Sequence, residues 1–189
     1  ADGDDAVLTL PDVFQSALPS NPFAFRDREL PAVQPSNVVK LTIVRPGRTT
    51  VLAPSLGDAP NAWRMLEPVA AGADVQAVTA ALARLAELKV SEYLPAAVDG
   101  DQDRYGLRSP SMEIRWEVSS GSGSGPDSVK SLRIGAPVKE DPTKHYGTLS
   151  DFPAAFTIEA ESLFPFMAEF HATRVLSFRP QTVRRIVLQ

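Results

Sequence analysis

Apolar positions recur with two different periods along the chain. Val75, Val78, Leu82, Leu85 and Leu88 follow one another at spacings of three and four, which places them on one helical face. Alanines fill the gaps, and alanine is the best helix former. Asp74 stands where its carboxylate can accept from the free amides of a first turn, and Arg84, Glu87 and Lys89 take the other side. The pattern predicts one principal amphipathic helix over about 74–89. Burying five branched side chains at roughly 1.5–3 kcal/mol each offsets little more than the ordering of the helix itself. The helix therefore needs a sheet or another helix to lie on, and its apolar face reads as core before it reads as a cofactor or partner groove.

Elsewhere the period is two, the period of a strand with one buried face. Met112, Ile114, Trp116 and Val118 alternate with Glu113, Arg115 and Glu117. Residues 38–44 are rich in β-branched side chains, which favour strands. Arg45–Pro46–Gly47–Arg48 suits a type II turn, and the chain returns over 49–53 as the second arm of a hairpin. Further strands are expected at 6–10, 129–134 and 182–188, with Gly135 closing the middle one, and a second hairpin at 145–149 and 155–158. An extended piece over 62–66, ended by Pro68, and a small-residue turn at 71–73 lead into the helix. Residues 11–18 suit a short helix, 98–104 an acidic exposed loop, and 159–170 a helical or irregular piece broken by Pro165. The whole reads as an α+β chain, mainly an antiparallel sheet of hairpins with one helix packed on it.

Composition agrees. The 189 residues hold 17 prolines, about twice the usual share of ~5 %, and proline removes ladder donors and breaks helices. Many short elements follow, rather than a bundle. The length fits a single region over 1–189 or two subdomains at 1–97 and 98–189. The net charge of −4 leaves no general nucleic-acid footprint. Cysteine is absent, which removes disulfides, thiolate catalysis and cysteine zinc sites from consideration. No apolar run approaches 18 residues, so nothing in the sequence spans a membrane as a helix. The opening ADGDD and the strand-like close at Gln189 suggest a stretch excised from a longer protein.

Residues 6–43 echo residues 155–188. Leu8–Thr9–Leu10 matches Phe156–Thr157–Ile158, and Val13–Phe14 matches Leu163–Phe164. Phe25 with Arg28–Glu29–Leu30 matches Phe170 with Arg174–Val175–Leu176. Residues 35–43 match 180–188 as proline, two residues, valine, one residue, a base, then apolar positions two apart. A true repeat implies one full unit and the opening of the next, so that the parent is a tandem array.

These features resemble the bacterial domain-of-unknown-function family 4340. The resemblance is carried by Arg28 to Leu30, by the tryptophan-to-proline piece Trp63 to Pro68, by the turn Tyr105–Gly106–Leu107–Arg108–Ser109–Pro110, and by the strand end Leu132 to Gly135. His145–Tyr146 stands where the family usually has an aromatic pair. The resemblance implies a membrane-anchored parent with its bulk outside the cytoplasm, in periplasm or cell envelope, beside transport components of the ABC type. It implies no catalytic residues and no cofactor.

A search for chemistry leaves little. His145 and His171 are the only histidines, and neither sits in a metal-binding spacing. Ser120–Gly121–Ser122–Gly123 lies in a Gly/Ser loop that cannot hold a base at hydrogen-bond distance. No helix follows it to cradle a phosphate. Asp99–Gly100–Asp101–Gln102–Asp103 opens like a calcium loop but has Pro110 where the closing glutamate belongs. Asp2–Gly3–Asp4–Asp5 reads as a solvated tail. His171, Arg174, Arg179, Arg184 and Arg185 form a basic end, best read as a solvated face or a contact between repeats. No catalytic, cofactor-binding or metal residue is assigned. The expected function is a non-catalytic extracytoplasmic structural or interaction module with a protein partner in the envelope. The alternatives are a glycan- or peptide-binding module using Trp63, Trp116, Tyr93 or Tyr105, and a hydrolase whose two carboxylates stand about 5–9 Å apart.

Overall fold

The computed structural model describes residues 28–30, 33–55, 62–94, 101–119 and 126–172. The expected elements at 6–18 and 182–188 lie outside them. The strands are β1 (Val38–Arg45), β2 (Arg48–Pro54), β3 (Trp63–Glu67), β4 (Ala71–Gly72), β5 (Glu92–Tyr93), β6 (Met112–Val118), β7 (Ser128–Pro137), β8 (Lys144–Leu149) and β9 (Phe152–Glu159). The helices are α1 (Val75–Ala86), the single turn α2 (Asp101–Arg104), and 3-10 segments at Pro35–Asn37 and Ala160–Met167. All nine strands form one sheet in the order β4-β3-β2-β1-β6-β7-β8-β9-β5, antiparallel at every pairing. Strands from 1–97 and from 98–189 share it, since β1 pairs with β6 and β5 with β9.

Strand alternation builds the inner face. One row of cross-strand neighbours runs Thr50, Ile43, Ile114, Leu132, Leu149. A second runs Met65, Leu52, Leu41, Trp116, and a third Met112, Ile134, Gly147, Phe156, Tyr93. Val78, Ala81, Leu82 and Leu85 of α1 are buried in the same apolar cluster, with Leu88 beyond the helix end. The Asp74 carboxylate accepts from the amides of Gln76 (2.9 Å) and Ala77 (3.2 Å), so the N-cap is real and adds about 1 kcal/mol relative to alanine.

Chain lengths require the sheet to curl around α1. The chain leaves β9 at Glu159 and reaches His171, which bridges to Ala73 beside β4 at the far side. Eight residues of 3-10 helix at ~2 Å and four extended residues at ~3.4 Å reach roughly 30 Å. Eight strand spacings laid flat need roughly 38 Å. The crossing segment runs over the inner face and buries Leu163, Phe166 and Phe170 there. The described part of the connection from β5 to β6, residues 101–111, lies on the outer face. Tyr105 in that connection stacks on Tyr146 of β8 with ring centroids 4.4 Å apart, and its carbonyl accepts from the Ala136 amide at 2.8 Å.

Four local expectations need correction. Ala71–Ala73 is not a turn, because β4 pairs with Arg64 and Met65 and the Ala73 amide donates to the Trp63 carbonyl at 2.9 Å. Val75 is 42 % exposed instead of buried, because helical Cβ atoms lean toward the N-terminus and the first residue reaches past the helix end. β7 does not stop at Gly135 but runs on to Pro137, its Ala136 amide taken by Tyr105. Asp101–Arg104 forms a helical turn where a loop was expected, continued into the Tyr105 segment by the Leu107 amide donating to the Gln102 carbonyl at 2.8 Å.

Two glycines do different work. A Cβ on Gly135 would lie 2.0 Å from the Tyr105 carbonyl oxygen, so that position admits glycine only. Gly47 needs glycine for its φ of +74° in the β1–β2 turn, yet nothing lies within 4 Å of its missing Cβ. Gly47→Ala should therefore cost about 1 kcal/mol, a backbone penalty alone. Gly135→Ala should cost more than about 4 kcal/mol or prevent folding, because the covering connection must lift off. Urea unfolding of the two variants measures the contrast. The Thr50 and Thr157 hydroxyls are buried with no hydrogen-bond partner. Replacing either with valine should raise stability by up to about 1–3 kcal/mol, seen as a higher midpoint with an unchanged slope.

Candidate functional site

One cleft lies at the C-terminal end of α1. Its volume is about 530 Å³ and it is lined by Arg28, Arg84, Glu87, Lys89, Val90, Ser91, Glu159 and Ser162. Four segments converge on it. Arg84 comes from the last turn of α1, where a cation suits the helix dipole. Lys89 to Ser91 continue from the helix. Arg28 is held beside them because its carbonyl accepts from the Val90 amide at 2.7 Å. Glu159 and Ser162 come from the end of β9 and the 3-10 segment that follows.

The charges in this cleft are mixed. Ser91 Oγ donates to Glu159 Oε1 at 2.9 Å, so that carboxylate is engaged within the fold. Lys89 reaches Glu29 at 3.7 Å, both side chains about 70 % exposed, a pair worth little in water. Arg28 and Arg84 make no ion pair among the described residues. A rim of three cations and two carboxylates over the buried floor of Val90 suits a polar or acidic surface. Arg28 stands in the Arg28–Leu30 motif and Arg84, Glu87 and Lys89 on the polar side of the helix, but no spacing in the chain announces that they meet Glu159 and Ser162.

A second cleft of about 230 Å³ is lined by Val33, Gln34, Asn37, Trp116, Val118, Ser128 and Lys130. Trp116 is only 3 % exposed, so it forms the floor and offers no free ring face. Trp63 is half-buried against the core, Tyr93 is buried edge-on to Phe152 and Phe156, and Tyr105 is stacked on Tyr146. The aromatic residues considered for glycan or peptide stacking are thus engaged within the fold.

The other candidates are placed as follows. His145 lies on β8, half-buried, with Nδ1 3.4 Å from the Gly135 carbonyl oxygen. His171 bridges to Ala73 and reaches Glu169 at 3.3 Å. The two histidines lie on separate parts of the fold, His145 beside β7 and His171 beside β4. Of the acidic run, Asp103 pairs with Arg108 at 2.9 Å. Among the described residues no group of three or more His, Asp or Glu side chains is gathered to hold a metal ion. Asp2 to Asp5, Asp99, Ser120 to Gly123, Arg174, Arg179, Arg184 and Arg185 lie outside the described residues.

The short motifs converge on one another. Gly106 sits at φ +68°, letting Tyr105 to Pro110 fold back over β7. Leu107 is buried, and Ser111 Oγ donates to the carbonyls of Ile134 (3.1 Å) and Gly135 (3.0 Å). The tyrosine–glycine–leucine turn and the leucine–x–isoleucine–glycine strand end are two halves of one docking contact. A family model, Domain of unknown function (DUF4340), matches residues 63–189, more than half of the chain. The chain belongs to this family. No curated protein and no solved structure matches it. The DUF4340 match begins at Trp63, the first residue of β3, and leaves out β1 and β2, which stand in mid-sheet.

One further cluster joins distant parts of the DUF4340 chain. Arg48 donates from Nη1 and Nη2 to the two carboxylate oxygens of Glu169, at 2.7 and 2.8 Å, and Arg45 Nη1 donates to the Met167 carbonyl at 3.4 Å. These contacts tie the segment after the 3-10 helix to the β1–β2 turn. The Arg48 guanidinium holds the Glu169 carboxyl down from 4.5 to about 2. At the β7–β8 turn Lys144 and Thr143 do the same for Asp141, from 3.8 to about 2. Both carboxyls bind protons more weakly in the folded chain. Their contribution is complete above their unfolded pKa values and is lost as pH falls toward 2. The melting temperature should therefore drop from pH 4.5 to pH 2. Glu169→Gln should flatten part of that slope and leave the Asp141 part. Both groups lie at the surface, so the effect is small and should shrink further in 1 M salt. Thermal melts of both chains across this pH range provide the check.

Proposed function

We propose that this DUF4340 chain is a non-catalytic structural and interaction module of the bacterial envelope, a repeating unit of an extracytoplasmic auxiliary component in a transport assembly of the ABC type. The observation that carries the structural half is where the motif residues go. Trp63 packs against the core, and Tyr105 to Pro110 and Leu132 to Gly135 dock on each other, so the shared motifs are spent on holding connections to the sheet. An enzyme family more often shares the residues that line its cleft, because the reaction needs them. Here the cleft at the end of α1 takes only Arg28 from the motifs, and its other lining residues lie outside them.

The envelope and transport half rests on the family resemblance alone. A protein partner fits a cleft lined by both cations and carboxylates, since such mixed charges set orientation and partner choice. The test is affinity capture of the tagged full-length protein from the detergent-solubilised envelope of its own cell. Subunits of a membrane transporter should co-purify in stoichiometric amount. Recovery of the protein with no membrane partner would count against the assembly role. Turnover of a glycan or peptide substrate, lost in Glu159→Gln, would replace the module reading with the hydrolase one.

A further inference from the structure

We draw no further inference here: the strongest candidate, the cleft at the C-terminal end of α1 with its three cations and two carboxylates, carries none because nothing in the described structure shows what covers it.

Discussion

A broad sheet has two faces to cover and one chain to cover them with. Here the inner face carries the three apolar rows that meet α1, and the sheet must curl for the connections to reach. Everything else follows from that curl. β4 and β5 can be two residues each because they only close the edges, and short edges offer little backbone to unwanted partners. The segment from β9 back to β4 crosses the inner face beside α1, and the Arg48–Glu169 pair ties it down where it arrives.

The outer face is handled differently on its two halves. Residues 101–111, leading into β6, cover part of β7 and β8, with Tyr105 on Tyr146 and Gly135 yielding space for the backbone above it. Over β1 and β6 the outer face is polar and its charges compensate one another, Lys40 with Glu117 at 3.1 Å and Arg115 with Glu113 at 3.0 Å. Gly147 shows how close the inner packing is, since a Cβ there would lie 2.7 Å from the Phe156 ring. The ring fills the place of the missing side chain.

The boundary of the DUF4340 match and the boundary of the sheet do not coincide. The match opens at β3, while β1 and β2 occupy the middle of the sheet and join the β3–β4 end to β6. Residues 180–188, inside the match, echo the stretch that contains β1. A strand so central cannot be dropped without splitting the core, because β1 carries Leu41 and Ile43, both fully buried. The stretch matched by the family model and the stretch that builds the sheet are therefore offset along the chain.

What the sequence determined by itself is local. The 3.6-residue period marked α1 almost to its ends, and Asp74 declared its start, because capping and amphipathic spacing act within a few residues. The period of two marked β6, and the Pro46–Gly47 turn marked the β1–β2 hairpin, for the same reason. Tertiary structure decided the rest. The two-residue strands β4 and β5 have no pattern of their own and exist only because Trp63 to Met65 and Phe156 to Thr157 offer them partners. β7 continued past Gly135 because the Tyr105 carbonyl, thirty residues away, was there to receive an amide. The cleft at the end of α1 gathers Arg28, Arg84 and Glu159 from three distant places, and no spacing along a chain encodes a meeting that only the curl of the sheet brings about.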